Sequence, residues 1–482
     1  MSDVKKKKQD LPEIVTVTIT DLNNLGCGVG RLPDGVVLFV KGSVTGDVVK
    51  AQIIKRTKSF CVGKLLEIVT PSPMRAEEAF CNAPEACGGC VYRHLKYEDE
   101  LRSKHERVKQ AFRQAGLADV VIRPVLTVQR NGEHVTRGYR NKGMYPVRQG
   151  KNGMEAGFYA AKTHKVIPCS DCALQPDAFG DLVRAVCALC DRYRITAYDE
   201  EATGQRNRGT LRHIYIRSAA DGSMLLTLVI NDQRLPKQAA EGLVHELVGR
   251  FPRLCGILLN VNCEDTNVVL GDKFITLWGR DYLEDTLCGR RLRLSAGAFY
   301  QVNRDAAELL YNTAADMAEL TGDEHLVDLY CGAGSIGLSM SDKVADVTGI
   351  EIVPEAVECA KVNAALNGLS SDRARFFCGD ASDARKFLAA AEENGAPSPD
   401  LAVIDPPRKG TTRELIAEIA RRDIRRVVYI SCEPETLGRD CALFREFGYE
   451  IGEVQPVDLF PRTGHVESVA CLTRRPDVDM CR

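Results

Sequence analysis

From about residue 295 the chain alternates short apolar runs with helical segments, and this constrains the fold more than any other feature. The runs are His325-Leu-Val-Asp-Leu-Tyr330, Val347-Thr-Gly-Ile-Glu351, Ala374-Arg-Phe-Phe-Cys378, Leu401-Ala-Val-Ile404 and Val427-Val-Tyr-Ile430. Helical stretches such as Pro354–Asn367 separate them, with proline at the start and Gly368 just past the end. Such alternation predicts an α/β fold, a parallel sheet covered by helices on both faces. Sheets of this kind hold ligands at the carboxyl ends of their strands.

Several chemically capable residues fall at those ends. Asp328-Leu-Tyr-Cys-Gly-Ala-Gly-Ser-Ile-Gly337 is a Gly-rich loop between a strand and a helix. Its Gly332-x-Gly334-x-x-Gly337 spacing fits a dinucleotide such as NAD as well as S-adenosylmethionine, and Glu351 ends the next strand where a carboxylate can hold ribose hydroxyls. Asp405-Pro-Pro-Arg-Lys-Gly410 follows the fourth strand, and the paired prolines stiffen the turn around Asp405. Ser431-Cys432-Glu433-Pro434 follows the fifth. Cys432 is either a buried structural thiol or a nucleophile, and the adjoining helix N-terminus is expected to favour its thiolate. Glu467, inside the apolar run Gly464-His-Val-Glu-Ser-Val-Ala-Cys-Leu472, is expected to be buried, with the raised pKa that suits a proton acceptor near neutral pH.

The rest of the chain divides by pattern. A charged tail at 1–11 is expected to be disordered. Residues 12–72 alternate apolar and polar positions between Gly-rich turns, as in Ile14-Val-Thr-Val-Thr-Ile-Thr20, and predict a small β-barrel. Residues 73–294 mix strands with helices at 178–194 and 236–250, an α+β domain. The catalytic-looking segment fills 295–482. Of 19 cysteines, Cys61, Cys255, Cys359, Cys378 and Cys471 read as small core residues. Cys81, Cys87 and Cys90 are grouped, with Cys169 and Cys172 downstream; four thiolates fit Zn²⁺ or an iron–sulfur cluster. The net charge of −2 does not announce a nucleic-acid binder, although residues 1–70 carry eleven Lys/Arg against seven Asp/Glu. With no apolar run long enough to span a bilayer and no signal-peptide core, a cytoplasmic location is expected.

Taken together these motifs resemble the S-adenosylmethionine-dependent RNA 5-methyluridine methyltransferases, in particular the branch acting on 23S ribosomal RNA. Gly26-Cys-Gly-Val-Gly-Arg31 through Phe39-Val-Lys-Gly-Ser-Val-Thr-Gly46 is similar to that branch's N-terminal TRAM domain, an OB-like RNA-binding barrel. Tyr139-Arg-Asn-Lys142 and Gln301-Val-Asn303 resemble its central and cofactor segments. The resemblance implies a Rossmann-like methyltransferase domain in which Gln301, Tyr330, Ser335, Glu351, Asp380 and Asp405 contact S-adenosylmethionine. It implies Cys432 as the nucleophile that adds to uracil C6 and Glu467 as the acceptor of the C5 proton. It also implies a [4Fe–4S] cluster on Cys81, Cys87, Cys90 and Cys172, with Cys169 as the rival fourth ligand. Glu433 and Ser335 stand where the family more often has asparagine. The expected partner is 23S ribosomal RNA, with tRNA the alternative, and a monomer without protein partners. Two other classes stay open: an NAD-dependent oxidoreductase using the GxGxxG loop, and a non-catalytic RNA-binding protein.

Overall fold

The computed structural model describes residues 13–200, 202 and 208–476. The expected tail at 1–11 lies outside the described residues. The chain divides into two compact units, one of residues up to 82 with 89–104 and 462–465, the other of 83–88, 105–461 and the residues from 466 on.

The first unit is built on a closed barrel. Its strands are β1 (Ile14–Leu22), β2 (Cys27–Arg31), β3 (Val37–Lys41), β4 (Val48–Arg56) and β5 (Phe60–Thr70), in the order β1-β2-β3-β5-β4. Alternation puts Ile19, Leu38, Val40, Val49, Ala51 and Cys61 inside. Asp47, fully buried, anchors the barrel's exit: it accepts from the Val44 and Ser72 backbone N–H groups and pairs with Arg75 at 2.6 Å.

The second unit holds two seven-stranded sheets. One is formed by β6 (Lys142–Gly150), β7 (Gly153–Tyr159), β8 (Val166–Pro168), β9 (Leu211–Ser218), β10 (Met224–Ile230), β11 (Leu254–Val261) and β12 (Lys273–Gly279), ordered β8-β7-β6-β9-β10-β11-β12. Helices α1 (Asp177–Arg192) and α2 (Lys237–Arg250) bury Phe179, Leu182, Leu243 and Leu247 in its core. A hairpin of β13 (Tyr282–Leu287) and β14 (Arg290–Ser295) follows.

The other sheet is the expected α/β layer. Its strands are β15 (His325–Leu329), β16 (Asp346–Glu351), β17 (Ala374–Cys378), β18 (Leu401–Ile404), β19 (Arg426–Ser431), β20 (Tyr449–Val457) and β21 (Glu467–Arg474), ordered β17-β16-β15-β18-β19-β21-β20. β15 to β19 run parallel, whereas β21 runs antiparallel to both of its neighbours. Separate apolar clusters sit on its two faces, one with Leu326, Val403 and Ile430, the other with Val327, Ile404 and Tyr429. Successive residues of one strand thus enter opposite cores, as continuous apolar runs require.

Candidate active site

β15 lies at the point where the sheet's connections diverge, between β16 and β18. The chain leaves β15 through Tyr330, held at a φ of 71°, a strained region for a residue with a side chain. Two backbone bonds fix it there: the Tyr330 and Cys331 N–H groups both donate to the Ile350 carbonyl, at 3.0 and 3.1 Å. The Gly-rich loop that follows is clamped by carboxylates. Asp328 Oδ2 accepts from the Gly337 N–H at 2.8 Å, and Glu351 Oε2 accepts from the Gly332 N–H at 3.0 Å. Gly334 turns the chain at a φ of 79°. Gly337 is required by proximity: a Cβ there would lie 2.8 Å from Val347 and 3.0 Å from Asp328 Oδ2. Helices α3 (Arg304–Met317) and α4 (Ser335–Met340) precede α5 (Pro354–Leu366), from which the buried Asn363 donates to the Ala333 carbonyl at 3.1 Å.

The other expected residues reach the same carboxyl edge from different strands. Asp405 follows β18 and Cys432 follows β19. Glu467 opens β21, and because that strand is antiparallel its first residue lies at this edge. Ser431 pairs with Ser468 across β19 and β21, so the next positions along, Cys432 and Glu467, are neighbours. Asp380 follows β17 and is exposed. Gln301, 7% exposed, precedes α3.

Tyr311 on α3 joins these parts, and the sequence did not reveal it. Its hydroxyl is hydrogen-bonded to the side chains of Ser335 and Gln301 and lies close enough to Asp405 and Glu467 to feel both charges. A tyrosine on the apolar face of an amphipathic helix has no signal that separates it from core. Arg408, inside the Asp-Pro-Pro-Arg motif, was likewise unassigned; it is the cation set against Glu467 and Cys432.

The electrostatics follow from burial. Asp328 and Asp405 are each pushed up to about 7 by burial, Asp405 further by Asp328. Asp405 keeps some exposure while being enclosed by protein atoms. Glu467 is pushed up to about 8, first by burial and then by Asp405, as its place in the apolar run predicts. Cys432 departs from expectation. Burial, with the carboxylates of Glu467, Asp405 and Glu433, drives its thiol up to about 11. Burial and the three carboxylates outweigh the N-terminus of the helix that begins at Pro434. Glu433 itself is raised by burial and by Glu435, and both carboxylates are gathered by Arg107.

This edge is short of positive charge. Asp328 Oδ1 is buried without a hydrogen-bond partner among the described residues. The residues therefore fit a cationic ligand such as the sulfonium of S-adenosylmethionine, whereas the diphosphate of a dinucleotide would add negative charge beside Asp328, Glu351 and Asp405.

The cysteine expectations fare unevenly. Cys61 is buried, but Cys378 is exposed because it ends the edge strand β17, and Cys255, Cys359 and Cys471 are half-buried. Cys81 and Cys90 fold with the barrel unit, whereas Cys87, Cys169 and Cys172 belong to the larger one. Among the described residues no group of three or more His, Cys, Asp or Glu side chains is gathered as a metal site. These residues do not establish the expected [4Fe–4S] cluster. Among the described residues no helix is long and apolar enough to cross a membrane.

Known proteins resemble the chain along its whole length. A family model described as tRNA (Uracil-5-)-methyltransferase matches residues 271–475, and a TRAM domain model matches residues 12–66. An RNA methyltransferase of Bacillus cereus is 39% identical over 462 residues, covering 95% of this chain and 97% of the relative. One of Clostridium acetobutylicum is 38% identical over 459 residues, covering 95% and 96%. Among solved structures, the Pyrococcus abyssi tRNA (uracil-54, C5)-methyltransferase in complex with S-adenosyl-L-homocysteine superposes with a TM-score of 0.73 at 23% identity, covering 95% of this chain and 100% of that one. At that identity the likeness speaks for the fold.

Proposed function

The chain belongs to the S-adenosylmethionine-dependent RNA (uracil-5-)-methyltransferase family, and from that premise we propose that it methylates uracil C5 in 23S ribosomal RNA through a covalent Cys432 adduct. The observation that carries the reading is the β19–β21 register. It sets a thiol and a buried carboxyl side by side, where the Asp405 turn and the Gly-rich loop meet the same edge.

Each residue has a task that the chemistry requires. Uracil C5 is a poor nucleophile. Attack of Cys432 sulfur on C6 forms an S–C6 bond and moves the ring electrons into an enolate, so that C5 becomes nucleophilic. When bound, S-adenosylmethionine would supply the electrophile, a methyl group on positively charged sulfur, with neutral S-adenosylhomocysteine as the leaving group once the S–CH3 bond breaks and C5 holds the methyl. Glu467 accepts the C5 proton, the electrons of that C–H bond re-form the C5–C6 double bond, and the Cys432 thiolate leaves. Gln301, Tyr330, Ser335, Glu351, Asp380 and Asp405 hold the cofactor in this reading, with Asp405 answering its positive charge. The uracil must leave its stack to present C6 to the sulfur. Phe299, 70% exposed two residues before Gln301, offers a face on which a displaced base can stack.

The TRAM match at the N-terminus supports an RNA-gripping barrel. Ribosomal RNA as the target follows the resemblance of the motif set. The [4Fe–4S] assignment to Cys81, Cys87, Cys90 and Cys172 rests on the family resemblance of the motifs; iron and acid-labile sulfide assays on anaerobically purified protein decide it.

The test uses RNA tritiated at uridine C5. The enzyme with S-adenosylmethionine is expected to release tritium from 23S ribosomal RNA transcripts and not from tRNA; release from tRNA alone would replace the substrate assignment. Cys432→Ala is expected to abolish release. RNA carrying 5-fluorouridine should become covalently joined at position 432, and an active enzyme that never yields this adduct would refute the covalent mechanism.

A further inference from the structure

Three cations of the second unit converge, and among the described residues none is paired with a carboxylate. Lys142 opens β6 and lies directly opposite Arg217 in the β6–β9 ladder. Arg140, two residues before Lys142 along an extended segment, is close enough to act on the same ammonium, as is Arg217. None of the three makes an ion pair with any described residue. Arg217 is 4% exposed, and its donors go to neutral acceptors, the Tyr215 hydroxyl at 2.7 Å and the Ala298 carbonyl. The Nε of Arg140 is buried with no partner at all among the described residues.

Such an arrangement costs stability. Like charges facing one another across a ladder repel, and a cation removed from water without a counter-ion is worse off than in the unfolded chain. Burial together with Arg217 and Arg140 pulls the Lys142 ammonium down to about 8. Among the described residues no carboxylate forms an ion pair with any of the three; Asp285 and Asp305, which line the cleft beside Arg140, pair with Arg304 and Arg130. What would balance the cluster is an anion from outside.

Its place in the fold says which anion. Asn141, between Arg140 and Lys142, donates from its N–H to the Val302 carbonyl at 2.8 Å and from its side chain to the Gln301 carbonyl at 2.9 Å. Arg140 bridges to Asn303. With Arg217 on the Ala298 carbonyl, the cluster is tied to the segment 298–303 that carries Gln301 and the exposed Phe299. Arg140, alone of the three, also lines a polar cleft of about 150 Å³, where Arg130, Arg137 and Arg304 face the carboxylates of Asp285 and Asp305.

We propose that Arg140, Lys142 and Arg217 form a phosphodiester-binding site that seats the RNA backbone next to the uridine being methylated. The proposal rests on the reading of RNA as substrate. A phosphate is the anion that an unfolded RNA strand brings to this segment, and guanidinium pairs suit its oxygens.

The experiment compares the full-length enzyme with Lys142→Gln, Arg140→Gln and Lys142→Arg. Measured are affinity for a ribosomal RNA fragment across a salt series, affinity for S-adenosylmethionine, and Tm. Lys142→Gln and Arg140→Gln are each expected to weaken RNA binding about tenfold at low salt. The slope of log affinity against log salt should fall by about 0.7 for each phosphate contact removed. Lys142→Arg should keep the parental values. Tm of Lys142→Gln should stay level or rise, since a repelled charge has gone; a residue kept for folding alone would lower it. Unchanged RNA affinity and slope in both glutamine variants, with parental RNA binding intact, would overturn the site while leaving the methyltransferase reading in place. Loss of S-adenosylmethionine affinity with RNA binding unaffected would overturn it too, by assigning the cluster to the cofactor's carboxylate. A parental enzyme that binds no RNA would remove both readings.

Discussion

With its thiol held at about 11, only about one Cys432 in ten thousand is ionised at pH 7 in the ligand-free protein. Glu467, at about 8, is mostly protonated there as well. In the proposed mechanism both groups act in their basic forms, one to attack C6 and the other to receive the C5 proton. Their active forms are therefore gained as pH rises, Glu467 through about 8 and Cys432 beyond it. The kcat/KM for methylation is expected to climb steadily from pH 6 to 8.5, in a rate profile measured with saturating S-adenosylmethionine. A profile flat over that range would mean that Glu467 is not the acceptor. A second prediction concerns Tyr311. It touches the side chains of Ser335 and Gln301 without belonging to any motif. Tyr311→Phe should raise the KM for S-adenosylmethionine several-fold while thermal stability holds within the ordinary range for one lost hydrogen bond, about 1 kcal/mol. An unchanged KM would reduce Tyr311 to packing.

Elements were more readable than side-chain company. The edge strand at 374–378 and the buried strand at 401–404 were visible to the residue because each is a short, largely apolar run stopped by polar or Gly/Pro punctuation. The Gly-rich loop, the Asp405 turn and Cys432 were placed correctly at one edge because parallel strands leave no other place for them. The charge state of Cys432 was not legible. It depends on Glu467 arriving from 35 residues further along the chain, which a reading of the local helix N-terminus cannot include. The thiol group was less legible for a similar reason: close spacing between Cys81 and Cys90 does not by itself say which side chains the fold gathers around them. Support from behind the edge was also hidden. Asp440, fully buried on α6 (Pro434–Glu446), accepts from the Thr411 N–H at 2.8 Å and the Tyr429 hydroxyl at 2.6 Å. It thereby ties the loop after Asp405 to both β19 and the helix that follows Cys432. Asp440→Ala leaves both donors buried and unpaired, at a cost of about 2–4 kcal/mol. Chemical denaturation should show that loss, together with weaker S-adenosylmethionine binding.

At the scale of the whole molecule, the proposed function makes the site a region of instability that bound S-adenosylmethionine would relieve. Asp405 is raised from 3.8 to about 7 by burial and by Asp328. A carboxyl raised in the folded state favours folding while protonated, below its unfolded value, and loses that contribution as pH rises through the folded value. The ligand-free protein therefore carries an increasing penalty at Asp405 between about pH 4 and 7. Asp405→Asn removes the charge and keeps the shape. Its Tm should exceed that of the parental protein by a margin that widens from pH 6 to pH 8, while its affinity for S-adenosylmethionine collapses. The cation of the cofactor should act on the parental protein in the same sense. Ionised Asp405 attracts the sulfonium, so S-adenosylmethionine should bind more tightly at pH 8 than at pH 6 by calorimetry. S-adenosylhomocysteine, with a neutral sulfur, should show a smaller change. If both ligands followed pH alike, the carboxyl pair would not be reading the sulfonium charge. If Asp405→Asn lost stability at pH 8, the enclosed carboxylate would be a structural support and not a charge held in readiness for the cofactor.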